Sequence, residues 1–272
     1  MTETDVNARV RAITAELQNY FGERVNADFL RKRIHREVSR DFWFKYSNTR
    51  LKKTLSVRVL LRVALHLMGL RRRGQRNALN LKLENNTVVY NTEPATTSTP
   101  TDAASINEDA ELSILQLSDL HIDANPDFAQ VLAQTIENQH ADVTLITGDF
   151  KARSFGDNEN TLAVMKQLAP SIPNIGQHCY AILGNHDSLS LVPSLENMGI
   201  RCLINESIVV QLATTQLWLS GVDDPSYYGY DDLEASVANG ADHEHWLENS
   251  GCLLYTSPSP RDLSTSRMPS SA

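Results

Sequence analysis

Three short apolar runs, Leu112–Leu117, Val143–Thr147 and Cys179–Leu183, each end in a polar cluster: Ser118-Asp119-Leu120-His121, Gly148-Asp149 and Gly184-Asn185-His186-Asp187. Runs this short, rich in Val, Ile and Leu, have the pattern of parallel strands covered on both faces. In open α/β sheets the carboxyl ends of the strands line the ligand crevice. All three clusters are therefore expected at one sheet edge, with their Asp, His and Asn side chains gathered where a metal site can be assembled.

The segments between these runs fit the same architecture. Asp127 is placed to cap a helix running to about Gln139, with Phe128, Val131, Leu132 and Ile136 as its inward stripe. Further helices are predicted over Glu159–Leu168 and Leu191–Met198. Ile208–Leu212 and Gln216–Gly221, joined by Ala213-Thr214-Thr215, predict an antiparallel hairpin, which makes the sheet structure mixed. Asp231–Gly240 reads as a polar helix.

Charge divides the chain. Residues 1–110 hold 19 Lys and Arg against 12 Asp and Glu, and residues 111–272 hold 6 against 21, giving +7 and then −15. Residues 7–45 read as helical, with Val10, Ile13, Leu17 and Phe21 at helical spacing and Asn26 or Asp28 as a cap for the second segment. Within Thr54–Arg73, the residues Arg58, Arg62, His66 and Arg73 fall on one stripe beside Val57, Leu60, Leu61, Ala64, Leu65 and Met68. A basic amphipathic stretch of this kind suits an anionic membrane interface, and it equally suits a helix packed on the domain with its basic face in solvent. It is too short and too charged to span a bilayer. Aromatic residues do not interleave with the arginines, so nucleic acid is not the expected partner. Leu79–Tyr90 alternates around Glu84-Asn85-Asn86 as a hairpin would, and Thr92–Asp109 has the composition of a linker.

The organisation expected is a basic helical extension over 1–76, a hairpin and linker over 77–110, and an α/β domain over 111–251. The three cysteines, Cys179, Cys202 and Cys252, show neither metal-ligand spacing nor a disulfide framework, which fits a reducing compartment. Met1–Asn19 is polar and mixed in charge, unlike a secretory leader. The expected location is cytoplasmic, peripheral on the inner face of the cell membrane.

Each cluster also has a plain alternative: Asp-x-His as a surface turn, Gly-Asp as a turn dipeptide, Asn-His-Asp as a helix cap. Their order, always after an apolar strand, favours chemistry. Asp119 and His121, two apart in extended backbone, can point to the same side and hold one cation. Asp149 has two carboxylate oxygens with which to bridge two cations. Asn185 offers a neutral oxygen to the second, which leaves His186 free to face a substrate. Nitrogen and oxygen ligands without thiolate suit Mn, Fe or Zn.

These residues resemble the calcineurin-like metallophosphoesterase family, whose pattern runs Asp-x-His, Gly-Asp, Gly-Asn-His-Asp/Glu, a separate His and then Gly-His-x-His. The resemblance covers about residues 111–250. It implies an αββα fold of mixed sheets sandwiched by helices, here incomplete, and two divalent metal ions. It further implies Asp119 and His121 as ligands of the first metal, Asp149 as the bridge and Asn185 as a ligand of the second. His186 would be the catalytic histidine and Asp187 its orienting neighbour. The implied activity is hydrolysis of a phosphate ester, most specifically a phosphodiester, by a water activated between the two metals. Gly221-Val222-Asp223-Asp224-Pro225, together with the basic segment, is similar to a bacterial membrane-associated branch, some of whose members act on phosphodiesters; lipid-linked or nucleotide phosphodiesters are the substrate classes considered.

The family's last two segments are missing. Asp242-His243-Glu244-His245 contains a His-x-His, but no apolar strand leads into it. From Cys252 the sequence Cys-Leu-Leu-Tyr-Thr-Ser-Pro-Ser-Pro-Arg-Asp resembles a sequencing-adapter read-through, and residues 257–272 carry six Ser and three Pro in 16 positions, a composition that cannot build a core. Residues 252–272 are therefore expected to be a non-native disordered tail on a truncated fragment with impaired activity. The alternative function is a membrane-associated binding or scaffold protein that keeps the fold without catalysis. Tyr227, Tyr228 and Tyr230 are candidates for a substrate wall, or for ordinary packing.

Overall fold

In a computed structural model, residues 3–51, 64–88, 111–213, 215–238 and 254–256 are described. Two helices lead, Glu3–Phe21 (α1) and Ala27–Leu51 (α2). They are separated by Gly22 at φ 59 and by Asn26, whose Oδ1 accepts the main-chain N–H groups of Asp28 at 2.8 Å and Phe29 at 3.2 Å. Asn26, and not Asp28, is thus the cap. Val6, Val10, Leu17 and Phe21 from α1 and Leu30, Ile34 and Val38 from α2 are buried in the same apolar cluster as β-strand and crossover-helix residues of the following domain. Burying each of the larger side chains contributes about 1.5–3 kcal/mol. The first part of the predicted N-terminal extension is therefore built into the main core.

Of the basic segment Thr54–Arg73, residues 54–63 lie outside the described residues. The rest is a helical turn over 64–67, Gly69 at φ 69, and the helix Leu70–Ala78 (α3). Over 80–88 the chain is irregular, not the hairpin expected for Leu79–Tyr90, whose last two residues lie outside the described residues. Leu81 packs partly buried against the core while Leu83 and Val88 are exposed, so among the described residues the alternating apolar positions do not form one covered face, and an isolated two-stranded ribbon is marginal in water. The linker expected over Thr92–Asp109 lies outside the described residues.

Four parallel strands follow, Ile114–Leu117 (β1), Val143–Thr147 (β2), Cys179–Ile182 (β3) and Arg201–Cys202 (β4), paired in that order. The crossovers carry helices Phe128–Ile136 (α4), Glu159–Leu168 (α5) and Val192–Asn197 (α6). Each crossover steps one strand in the same direction, and right-handed connections then put all three helices on one face. Asp127 precedes α4 but its side chain makes no capping bond; Asn125 Oδ1 accepts the Asp127 N–H at 3.1 Å, so the entry is an Asn-led turn.

Alternation along β2 and β3 separates two cores. Ile146, Cys179 and Ala181 face the helices, whereas Val143, Leu145, Tyr180 and Ile182 face Leu203, Val210, Leu217 and Leu219. The last three of these belong to a second sheet, in which Glu206–Gln211 (β5) and Gln216–Gly221 (β6) pair antiparallel from Glu206↔Gly221 to Gln211↔Gln216. A short helix, Leu233–Ala238 (α7), packs on this sheet. Leu254–Thr256 (β7) pairs parallel with β6 and completes the order β5-β6-β7. These three residues fall within the stretch read as a tail, and here they form an edge strand. Two sheets face to face with helices outside the first give the α/β architecture expected. Among the described residues no helix is long and apolar enough to cross a membrane.

Candidate metal centre

Parallel pairing brings the carboxyl ends of β1, β2 and β3 side by side, and the three polar clusters emerge there together. The first two loops are stitched by main-chain bonds, His121 N–H to Asp149 O at 2.8 Å and Ile122 N–H to Phe150 O at 3.0 Å. The second and third approach so closely that only glycine fits. A Cβ at Gly148, which has φ 83, would lie 2.6 Å from Gly184 N, and a Cβ at Gly184 would lie 2.2 Å from Asp149 Oδ1. Asp119, His121 and Asp149 have φ values of 51, 39 and 53, in the left-handed region that costs a non-glycine residue about 1 kcal/mol or more. Such strain clusters where side chains must be aimed.

One oxygen each from Asp119 and Asp149 and one imidazole nitrogen of His121 lie within 4.8 Å of one another. Among the described residues they are the one such group of His, Cys, Asp and Glu. His121 Nδ1 is 2.6 Å from the Lys151 main-chain oxygen, while Nε2 is 3.8 Å from Asp149 Oδ2. Asp119 Oδ2 accepts from Ser118 Oγ at 2.6 Å. Asp149 Oδ1 accepts the His186 main-chain N–H at 3.0 Å. Burial pushes the Asp149 carboxyl above the usual range, opposed by that hydrogen bond and by the two imidazoles.

The Asn185 amide lies beside Asp149, one of its heavy atoms 3.1 and 3.2 Å from the two carboxylate oxygens. With nitrogen on that side it donates to Asp149. With oxygen there it adds a further acceptor beside the carboxylate, the orientation a bound cation would need. The His186 ring stands 4.9 Å from that of His121, and its Nδ1 is buried with no hydrogen-bond partner among the described residues. Converging carboxylate and amide oxygens with an imidazole nitrogen fit a divalent cation, and Cys179 and Cys202 are buried free thiols outside this group.

Asp187 turns away from solvent. Its Oδ2 accepts Gly184 N–H at 2.9 Å and Phe150 N–H at 3.3 Å, and its Oδ1 accepts Lys151 N–H at 3.1 Å. Burial raises its pKa to about 7 against the pull of these bonds. Asp187 thus ties the third loop to the second.

Behind this loop lies a group that the sequence pattern did not disclose. Arg33 of α2 is fully buried, donating from Nε to Asp223 Oδ2 at 2.7 Å and from Nη1 to Glu37 Oε1. Burial holds the Glu37 and Asp223 carboxyls above the usual carboxylate range, and the Arg33 guanidinium offsets only part of that rise. One signal was available: Arg33 and Glu37, four apart, lie on the α2 face that carries Leu30 and Ile34. Tyr228, Tyr227 and Tyr230 meet Arg33, Arg40 and Arg36 of the same helix, with guanidinium carbons 3.1, 3.2 and 5.7 Å from the respective ring centroids. The tyrosines therefore pack against α2. Asp242-His243-Glu244-His245 lies outside the described residues.

The calcineurin-like phosphoesterase family model matches residues 112–254, more than half of the chain. The chain is also similar to the "Uncharacterized metallophosphoesterase YkoQ" of Bacillus subtilis (strain 168), 30% identical over 125 residues that make up 43% of this chain and 44% of the relative. The chain thus spans less than half the length of that curated relative. With the three loops at the strand ends and this family match, the chain belongs to the calcineurin-like phosphoesterase family.

Proposed function

We propose that this chain carries the metal-binding loops of a metal-dependent phosphoesterase that hydrolyses phosphodiesters, with lipid-linked or nucleotide phosphodiesters as the substrate classes. The observation that carries the reading is the convergence of Asp119, His121 and Asp149, with Asn185 beside them, at the carboxyl edge of the parallel sheet. Asp119 and His121 would hold one divalent ion, Asp149 would be shared, and Asn185 would serve a second; Mn, Fe and Zn suit these donors. Bound there, the ions would supply Lewis acidity toward a phosphoryl oxygen and lower the pKa of water. His186 would face the scissile phosphate, its main chain held by Asp149 and its loop by Asp187.

Measuring metal content together with bis-p-nitrophenyl phosphate turnover tests this. Weak metal-dependent turnover, in keeping with the impaired activity expected of this chain, that disappears in His186→Ala while metal content persists is the expected result. Metal binding without turnover under Mn, Fe or Zn loading would favour a non-catalytic binding or scaffold protein. Attachment to an anionic membrane is the finer part of the proposal. It is supported by Leu67, Met68 and Leu70, which are 80%, 60% and 43% exposed beside the exposed Arg72, Arg73 and Arg76. Flotation with anionic and with neutral liposomes checks it, and equal partition to both would end that part.

A further inference from the structure

Arg33 stands about 150 positions before the site loop, yet its guanidinium reaches that loop's main chain. Nη2 donates to Asp187 O at 3.4 Å, and Tyr228 Oη, whose ring lies against the same guanidinium, donates to that oxygen at 3.3 Å. One helical turn along α2, Glu37 Oε1 takes the Nη1 contact from Arg33 and accepts Leu189 N–H at 3.0 Å. The helix therefore offers a donor to residue 187 and an acceptor to residue 189. Asp223, after β6, completes the pairing through Nε at 2.7 Å. From the opposite side, the Asp187 carboxylate is held by Gly184, Phe150 and Lys151 N–H groups, and His186 N–H by Asp149. The segment 184–189 is thus gripped on both sides, with His186 between.

A buried charged cluster is a poor way to gain stability, because desolvation offsets the attraction, and apolar replacements of similar volume are often neutral or better. What such a cluster supplies is direction: a planar guanidinium with three fixed partners admits few orientations. We propose that Arg33, with Glu37, is a positioning residue of the phosphoesterase site, setting from α2 the main-chain path at Asp187 and Leu189 and through it the aim of His186. This inference rests on the phosphoesterase reading for its kinetic consequence, but not for its structural one.

The test uses the full chain and two readouts. Hydrogen exchange is followed in peptides covering 184–189 and, as controls, in peptides covering α1 and β2; kcat and KM are measured with bis-p-nitrophenyl phosphate in saturating Mn. Arg33→Met alone strands two carboxylates, so the variant is Arg33→Met/Glu37→Gln/Asp223→Asn, which removes the charges together. Exchange in 184–189 is expected to rise at least about ten-fold with the controls unchanged, and kcat to fall at least about ten-fold with KM within about two-fold, as lost orientation would give. Arg33→Lys is the second variant, should the triple variant not fold. The three N–H donors of a lysine sit on one compact nitrogen, which cannot span acceptors that Nε, Nη1 and Nη2 reach separately, so Arg33→Lys is expected to loosen 184–189 selectively. Unchanged exchange in 184–189, or a rise shared equally by the control peptides, would overturn the proposal. Absence of turnover in the parent chain would count against the phosphoesterase reading alone, since exchange still decides the role of Arg33.

Discussion

The Nδ1 atom of His121 lies 2.6 Å from the main-chain oxygen of Lys151, which makes Nδ1 the protonated nitrogen and turns the Nε2 lone pair toward Asp149, 3.8 Å away. A carbonyl that fixes the tautomer of an imidazole in this way prepares the other nitrogen for a cation. His121→Ala is expected to weaken divalent-ion binding by at least about ten-fold, measured by calorimetric titration with Mn or Zn. Equal affinity in the variant would remove His121 from the ligand set.

Asp187 accepts three main-chain N–H groups with two oxygens, a job an amide cannot do, because its nitrogen would face donors. Asp187→Asn is expected to lower stability by about 1–3 kcal/mol, read from urea unfolding, through the donors it leaves unpaired. An unchanged midpoint would mean that the loop finds other partners.

The same residue predicts a pH dependence in metal-stripped protein. Its pKa is raised from 3.8 to about 7 by burial. A folded value above the unfolded one means that its contribution is complete below about pH 4 and is lost as pH rises through about 7, on the order of 4 kcal/mol in all. The Tm of the parent is expected to fall across pH 5–8 more steeply than that of Asp187→Asn. Parallel slopes would show that Asp187 is already ionised at the lower pH.

Gly184 has no room for a methyl group, since a Cβ would lie 2.4 Å from Asp149 N and 2.2 Å from Asp149 Oδ1. Gly184→Ala is expected to cost about 1–3 kcal/mol and to displace the Asp149 carboxylate, lowering metal affinity as well. Thermal melts with and without added Mn measure both effects, and a variant matching the parent in both would show that the loops can part without consequence.

The sequence marked the parts of this fold that rest on local signals. β2 and α5 were bounded as they occur, Val143–Thr147 and Glu159–Leu168, because each is a short apolar or periodic run between Gly, Asp and Pro punctuation. Asp119, His121, Asp149 and Asn185 were legible as a group because parallel strands put their following loops on one edge, and the structure brings all four there. Arg33 and Glu37 were not, since their partners are 150 to 190 positions away and a charged pair at i,i+4 reads locally as a solvated one. The described part of the hairpin expected over Leu79–Tyr90, through Val88, is irregular for the converse reason, because alternation makes a strand only where something covers one face. The edge strand at Leu254–Thr256 depends on pairing with β6, a contact that Ser- and Pro-rich neighbours do not announce.

Three candidate ligands at positive φ carry a thermodynamic linkage. The left-handed backbone at Asp119, His121 and Asp149 already aims the three side chains, so an ion binding there as proposed would lose little of its binding free energy to ordering them. An ion that binds only the folded form adds stability by mass action, about 2.7 kcal/mol at a free concentration one hundred times its Kd. Melting temperature thus becomes a gauge of occupancy, rising with the logarithm of ion concentration.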